Sequence, residues 1–196
     1  RTLAAATRTP EHVAVLRGLL DGSAPVAGLT VDTDLRWTLL SALAAVGAAG
    51  LDEIEAELDR DPTAAGQRRA ATARALRPTA EAKAEAWRLA TEDDELPNAI
   101  NEAIISGFHH PAQTALTLPY VAPYFAVARE VWERRTNEIA QNVVNGLFPD
   151  AIEQSVVDAA EAFLADPGVP PALARLVAEG RDDTVRSLTG RARDAG

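Results

Sequence analysis

The sequence predicts an all-α protein whose helices stack as antiparallel hairpins into an α-solenoid-like bowl. Three observations support this prediction. Apolar residues recur three or four positions apart along almost the whole chain, which is the helical period, and no stretch alternates strictly over the length of a strand. The connections between periodic segments are short, so that sequential neighbours become antiparallel neighbours in space. We expect residues 1–196 to form a single helical domain, or the C-terminal part of one.

The first two helices are marked by their end signals. Thr9 followed by Pro10 predicts a helix start, because proline fits the first helical position, and Gly22 predicts the end of that helix. After a loop, one of residues 32–34 is expected to cap a second helix with its side-chain oxygen. Gly50 is the predicted left-handed stop of this second helix.

A short acidic helix is predicted next, with Leu51, Ile54 and Leu58 facing inward. Acidic residues surround these positions between residues 52 and 61, and a second acidic cluster spans residues 92–95. Neither cluster has the spacing or the glycine of a calcium-binding loop. We therefore interpret both clusters as solvated helix faces or loops.

Two Ala-rich helices are predicted to follow, since alanine favours helix and lets helices approach closely. Asp61 with Pro62 repeats the cap-then-proline signal and predicts a helix over residues 62–77, and Trp87 anchors a second helix over residues 79–90. The later helices are predicted from apolar positions that recur three or four apart, and Gly180 is expected to separate two closing helices. This order gives about ten helices, in the manner of HEAT and armadillo proteins.

The rarest residue types concentrate between Phe108 and Arg135, where five of the nine aromatic residues lie. Pro119 and Pro123 interrupt backbone hydrogen bonding there, which leaves side chains and carbonyls free to line a cavity. The alternative is that the prolines bend a helix and the rings fill the core, as aromatic clusters usually do. On the first interpretation, the residues that would face a substrate are Gln113, Tyr120, Tyr124, Arg129 and Arg135.

Composition and motifs argue against several classes of function. The chain has no cysteine for thiolate chemistry, a formal net charge of −10 that repels nucleic acid, and no apolar run near the ~20 residues of a membrane helix. We expect no nucleic-acid partner, no membrane partner and a cytoplasmic location. Zinc-hydrolase, nucleophile-elbow and phosphate-loop motifs are missing, and His109 and His110 are expected to face solvent at a helix end.

Several short segments spread along the chain carry a family resemblance. They are GLTVDTDLRW at 28–37, DPTAAG at 61–66, LPNA at 96–99, GF at 107–108, PY at 119–120, YF at 124–125, GLFP at 146–149 and EGRDD at 179–183. Their order resembles the C-terminal helical domain of the aminopeptidase N family, the gluzincin zinc aminopeptidases, in its actinobacterial form. The chain begins at Arg1 and contains no Met, so we expect it to be a fragment of a longer protein.

The resemblance implies a parent enzyme with an N-terminal β domain and a thermolysin-like catalytic domain upstream of Arg1. Neither the family's Gly-x-Met-Glu-Asn motif nor its His-Glu-x-x-His motif occurs here, so no catalytic residue and no metal ligand can be assigned, and zinc is implied only for the parent. The family's domain closes over the catalytic domain of the same chain and limits which peptides reach the zinc. The alternative is a freestanding α-helical repeat scaffold for protein–protein interaction.

Overall fold

The computed structural model describes residues 9–194, and this part of the chain is helical with no strand, as predicted. It contains ten helices of at least ten residues, together with one short helix and one 3₁₀ turn. The helices are α1 (Pro10–Asp21), α2 (Thr33–Ala45), α3 (Leu51–Arg60), α4 (Ala64–Leu76), α5 (Ala80–Glu92), α6 (Asn98–Phe108), α7 (Thr114–Thr117), the 3₁₀ turn Leu118–Tyr120, α8 (Val121–Arg134), α9 (Asn137–Gly146), α10 (Gln154–Leu164) and α11 (Pro171–Asp194).

The long helices form two layers. In the inner row, α2, α4, α6, α9 and α11 follow one another, and each packs on the next. In the outer row, α1, α3, α5, α8 and α10 each pack on the inner helix that follows them in the chain. Five helix hairpins are thus stacked side by side, which is the arrangement that the short connections predict.

Two hydrophobic clusters fill this stack, and α4 contributes to both. The N-terminal cluster joins helices α1 to α4 around Trp37, and α4 adds Ala70 and Ala73 to it. The C-terminal cluster runs from α4 to α11 and takes Ala71 and Ala75 from α4. Because alanine is small and favours helix, one helix can press against a core on each of two faces.

The predicted helix starts are confirmed where the cap is a local signal. Thr9 accepts a hydrogen bond from the N–H of His12, and Asp32 accepts one of 2.8 Å from the N–H of Leu35. Each satisfies a backbone donor that the first helical turn leaves open. Gly22 ends α1 with φ at 80°, which is the left-handed conformation that favours glycine.

Gly50 is not the left-handed stop of α2, so this prediction is wrong. The helix ends at Ala45, and it is Gly47 that adopts a positive φ of 73°. The carbonyl of Leu43 then accepts the N–H groups of three following residues, which turns the chain before Gly50 is reached. Gly50 instead precedes α3, and its N–H donates to Glu53 over 3.1 Å.

The cap of α4 is also displaced from its predicted position. The helix begins at Ala64, and the side chain of Thr63 accepts from the N–H of Gly66 over 3.1 Å. The carboxylate of Asp61 is engaged elsewhere, because it accepts a 2.9 Å bond from Nε1 of Trp37 and a 2.7 Å bond from the Thr63 hydroxyl. A tertiary contact therefore takes the residue that the local pattern assigns to the cap.

The acidic segment is less solvated than predicted. Glu57 is 5% exposed and Asp61 is 8% exposed, whereas Leu51, predicted to face inward, is 41% exposed. Arg36 on α2 accounts for the burial of Glu57, since its Nε and Nη2 donate to the two carboxylate oxygens over 2.7 and 2.6 Å. A carboxylate that receives a bidentate guanidinium can leave water at a lower cost.

The two predicted closing helices are one helix of 24 residues, α11. Gly180 lies in its middle without interrupting it, so its prediction as a boundary is wrong. A Cβ at Gly180 would stand 2.6 Å from the ring of Phe148. The glycine therefore makes room for an aromatic side chain, and this contact offsets its cost of about 1 kcal/mol in a helix interior.

Candidate functional site

The proline-marked segment forms the short helix α7 and a 3₁₀ turn between α6 and α8. Pro119 lies in the 3₁₀ turn, and Pro123 is the third residue of α8. The N–H groups of the first helical turn have no intrahelical partner, so a proline at this position removes no helical hydrogen bond. The two prolines therefore leave fewer backbone groups without a hydrogen bond than the sequence pattern suggests.

The aromatic rings of this segment pack on one another. Trp87, Phe108 and Tyr120 form a triangle whose ring centres are 4.9 to 5.8 Å apart. Tyr124 and Phe125 meet edge to face at 5.0 Å and also contact the rings of Phe148, which follows α9, and Phe163 on α10. Ring pairs at these distances stabilise a core beyond the area they bury. The rings thus belong to the C-terminal cluster.

The structure gives partners within the domain to the two predicted tyrosines. The hydroxyl of Tyr124 is buried and donates to the carbonyl of Val144 over 2.7 Å. Burial raises the pKa of Tyr124 and, to a smaller extent, that of Tyr120. Tyr120 is half-buried and stacks on Trp87. Both phenols are therefore neutral at physiological pH.

The two predicted arginines form separate ion pairs. Arg129 donates to Asp166 over 2.6 Å and lies over the ring of Phe163. Nη1 of Arg135 donates to the carbonyl of Asp93 and the carboxylate of Asp94 over 2.8 and 2.7 Å. The structure thus places Arg129, on α8, and Arg135, which follows α8, against two different loops, and their contact with a substrate stays a prediction.

Gln113 lies where the carboxyl ends of two inner helices meet. Its Nε2 donates to the carbonyl of Ala45, the last residue of α2, over 2.6 Å, and to that of Leu76, the last residue of α4, over 2.8 Å. Helix ends leave carbonyls without intrahelical donors, and these two receive theirs from one amide. Gln113 therefore joins two neighbouring hairpins.

Lys83 repeats this arrangement one hairpin further along the inner row. Its side chain is 0% exposed, and Nζ donates to the carbonyls of Ala75, Gly107 and Phe108 over 2.8, 3.2 and 2.7 Å. These are the carboxyl ends of α4 and α6, whose macrodipoles favour a cation. All three ammonium donors are satisfied by backbone. We call Lys83, Gln113 and the helix ends they bind the carboxyl edge.

Asp150 and His109 lie next to this edge. Burial lowers the pKa of Lys83 to about 8, and the charge of Asp150 opposes that shift. Burial acts to raise the pKa of Asp150, but the neighbouring His109 and the hydroxyl of Thr117 lower it overall. His109 lies just after α6, yet it is half-buried with Nδ1 3.0 Å from Asp150, so the prediction that it faces solvent is wrong.

A groove opens on the outer layer between α3 and α5, with a volume of about 480 Å³. Alanines of α4 and α5 line it together with leucines and isoleucines, and charged side chains stand among them. None of the five predicted substrate-facing residues lines this groove. Its lining residues are Leu51, Glu55, Ala71, Arg74, Ala75, Arg77, Ala82, Glu85, Ala86, Leu89, Leu96, Ile100 and Ile104.

The described residues hold no group of three His, Asp or Glu side chains that could bind a metal ion. They also contain no helix long and apolar enough to cross a membrane. The arrangement at the carboxyl edge fastens helices to one another, and the groove offers a binding surface.

The sequence interpretation missed Lys83, although a signal was present. Lys83, Trp87 and Ala90 are spaced four and then three apart, which puts them on one helix face, and the last two are apolar. A charged residue on an otherwise apolar face is a candidate for burial. Its partners could not be found in this way, since they are backbone carbonyls of other helices.

Comparison with known proteins gives two matches. The family described as "ERAP1-like C-terminal domain" matches residues 1–186. The protein named "Aminopeptidase N" from Streptomyces lividans is 48% identical over 196 residues, which is all of this chain and 23% of that protein. The chain therefore spans about a quarter of the length of this curated relative.

Proposed function

Because this chain belongs to the family of ERAP1-like C-terminal domains, we propose that it is the non-catalytic C-terminal domain of a zinc aminopeptidase that removes N-terminal residues from peptides. In this proposal the domain closes over the catalytic domain of the same chain and gates peptide access to the zinc. The parent is the enzyme, and its substrates are peptides. We also propose that the parent is cytoplasmic.

The observation that carries this proposal is the 48% identity to an aminopeptidase N over every residue of the chain. Identity at this level over the whole chain is consistent with the two proteins packing their helix hairpins in the same way. The activity itself is carried over from the name of the relative, and it concerns the parent protein rather than this chain alone.

The carboxyl edge supports a closing movement of the whole domain. Lys83 and Gln113 tie the ends of α2, α4 and α6 together through five hydrogen bonds to backbone carbonyls. Closure around a bound substrate requires bodies that move as units about a hinge. A stack fastened in this way transmits such a movement without sliding of its inner helices.

Zinc is the cofactor that the proposal implies for the parent. The described residues do not fit it, because they offer no group of three ligands. We therefore assign the metal to the part of the parent outside residues 9–194.

Gating is tested in the full-length parent by comparing two classes of substrate. The variant Arg135→Ala removes a guanidinium that binds the loop at Asp93 and Asp94. We expect kcat/KM for peptides of ten or so residues to fall more than that for an aminoacyl-nitroanilide, because only long peptides must pass the domain. Equal losses on both substrates would refute a gating role for this residue, and Arg175→Ala is the control, because Arg175 is an exposed arginine of α11 outside the predicted substrate-facing set.

The gene sequence upstream of residue 1 separates this proposal from a freestanding repeat scaffold. We expect that sequence to encode a His-Glu-x-x-His motif, and the purified 196-residue chain to leave an aminoacyl-nitroanilide uncleaved. A start codon next to residue 1, or hydrolysis by the purified chain, would contradict the proposal.

A further inference from the structure

The groove between α3 and α5 has the size and lining of a small-molecule site. Its volume of about 480 Å³ lies in the range of ligand pockets, roughly 300 to 1,000 Å³. Four alanines, Ala71, Ala75, Ala82 and Ala86, line it with methyl groups only, and Leu89 and Ile104 add larger apolar surface. An apolar chain would therefore leave water on entering, which favours binding.

Arg77 differs from the other half-buried arginines of the described residues. Eight arginines are half-buried, and seven of them form ion pairs with a carboxylate. Arg77 forms none, and the hydrogen bond of its guanidinium runs from Nε to the carbonyl of Arg74 over 3.3 Å. Its terminal amino groups are therefore available at the groove.

The two acidic residues of the groove are already neutralised. Glu55 receives Nε and Nη2 of Arg74 over 2.8 and 2.7 Å. Glu85 receives Nε and Nη2 of Arg88 over 2.9 and 2.8 Å. Arg77 also attracts Glu55 through its charge, but Arg74 occupies both oxygens of that carboxylate. With two arginines facing one glutamate, the groove keeps one positive charge in excess, on a chain whose formal net charge is −10.

We propose that this groove binds a small anionic amphiphile, a monocarboxylate with a linear apolar chain, with its carboxylate on Arg77 and its chain along the alanines of α4 and α5. A guanidinium binds a carboxylate through two parallel hydrogen bonds. A single unmatched arginine suits one negative charge, and the acidic surface around it disfavours anions of higher charge. A second copy of the chain is a poor occupant, since it would bring a further net charge of −10.

Calorimetric titration of the 196-residue chain with decanoate, below the concentration at which it forms micelles, tests the proposal. We expect saturable binding of one decanoate, and at least roughly ten-fold weaker binding of decylammonium and of acetate, which lack the carboxylate and the chain respectively. Arg77→Gln should weaken decanoate binding roughly ten-fold. Arg68→Gln is the matched control, because Arg68 is an exposed arginine of α4, the helix that Arg77 directly follows.

The chain contacts are tested by Ala71→Leu, which adds three carbons to the groove and should abolish binding. Alanine-methyl NMR of the unaltered chain gives a second measurement that needs no core substitution. Decanoate should shift the methyl resonances of Ala71, Ala75, Ala82 and Ala86 and leave that of Ala160, which lies in α10, unchanged. Equal affinity for decanoate and decylammonium, unchanged affinity in Arg77→Gln, or shifts outside the groove would overturn the proposal.

Discussion

The N-terminal half of the domain, helices α1 to α4, and the C-terminal half, helices α5 to α11, bury charge in different ways. In the N-terminal half, Glu57 and Asp61 are buried against side chains of α2, the guanidinium of Arg36 and the indole N–H of Trp37. In the C-terminal half, Lys83 is buried with no carboxylate bonded to it, and its partners are three backbone carbonyls. The N-terminal half thus buries carboxylates against side-chain donors, whereas the C-terminal half buries an ammonium against helix ends.

This difference shows what each half requires of its sequence. A side-chain pair needs two matched residues, such as Arg36 and Glu57, and it fixes two helices relative to each other. A buried ammonium needs one residue, because the carboxyl ends of helices supply partial negative charge wherever they converge. The inner row brings the carboxyl ends of α4 and α6 together, so a single Lys83 fastens these two helices.

The largest expected effect comes from removing the cation of the C-terminal half. Lys83→Ala leaves three buried carbonyls without a donor and opens a cavity, so we expect the free energy of unfolding to fall by about 4 kcal/mol. Urea denaturation monitored by circular dichroism measures this. Lys83→Met keeps most of the volume and should lose less. A loss below about 1 kcal/mol in Lys83→Ala would show that the ammonium does not fasten the two helices.

The corresponding change in the N-terminal half is expected to cost less. Glu57→Gln leaves the guanidinium of Arg36 without its anion, and the free energy of unfolding should fall by about 2 kcal/mol, because Arg36 stays partly in contact with water. The same denaturation experiment applies. Glu85→Gln, which breaks an exposed pair with Arg88, is the control and should cost less than about 0.5 kcal/mol. A larger loss than in Lys83→Ala would reverse the comparison.

The helices could be predicted from sequence because their signals are local. Thr9, Asp32 and Gly22 act on backbone groups within one turn, and periodic apolar residues define each buried face. The prediction failed where a distant residue decides the outcome. Gly180 does not end a helix because Phe148 packs on it, and Asp61 does not cap α4 because Trp37 binds it.

The candidate sites depend even more on distant contacts. Lys83 and Gln113 act through carbonyls, which every residue has, so no residue pattern identifies the partners. The groove depends on how far apart α3 and α5 lie, and the sequence shows only that α4 and α5 are rich in alanine. Rare residue types drew attention to the aromatic segment instead, although its rings mainly fill the C-terminal core.

A change of pH should affect the stability of the two halves in different pH ranges, and in both halves stability rises with pH. The folded pKa of Lys83, about 8, lies below its ordinary value of 10.5, so the unfolded chain binds more protons between these values. Stability then rises with pH, by about 2 kcal/mol between pH 7.5 and 9.5. In the N-terminal half, hydrogen bonds from Arg17 and Arg74 lower the pKa values of Glu53 and Glu55, so these groups lose their contribution as pH falls below their ordinary values.

Urea denaturation at a series of pH values measures both trends. The rise above pH 7.5 should disappear in Lys83→Met and persist in Glu57→Gln, because only the first variant removes the titrating ammonium. The series stops at pH 9.5, since burial raises the pKa of Tyr124 and its unfolded phenol begins to ionise near pH 10. A rise that persists in Lys83→Met would assign the effect to another group.

The smallest expected effect concerns the next helix of the inner row. Tyr124 donates to the carbonyl of Val144 near the carboxyl end of α9, so a phenol acts on a helix carbonyl there as Lys83 and Gln113 do at the carboxyl edge. Tyr124→Phe keeps the ring contacts and removes one hydrogen bond, so the free energy of unfolding should fall by about 1 kcal/mol. Thermal unfolding compared with Tyr120→Phe gives the control, because the structure shows ring contacts for Tyr120. If Tyr124→Phe costs as much as Lys83→Ala, then charge is not what distinguishes the carboxyl edge, and the number of satisfied carbonyls does not set the size of the effect.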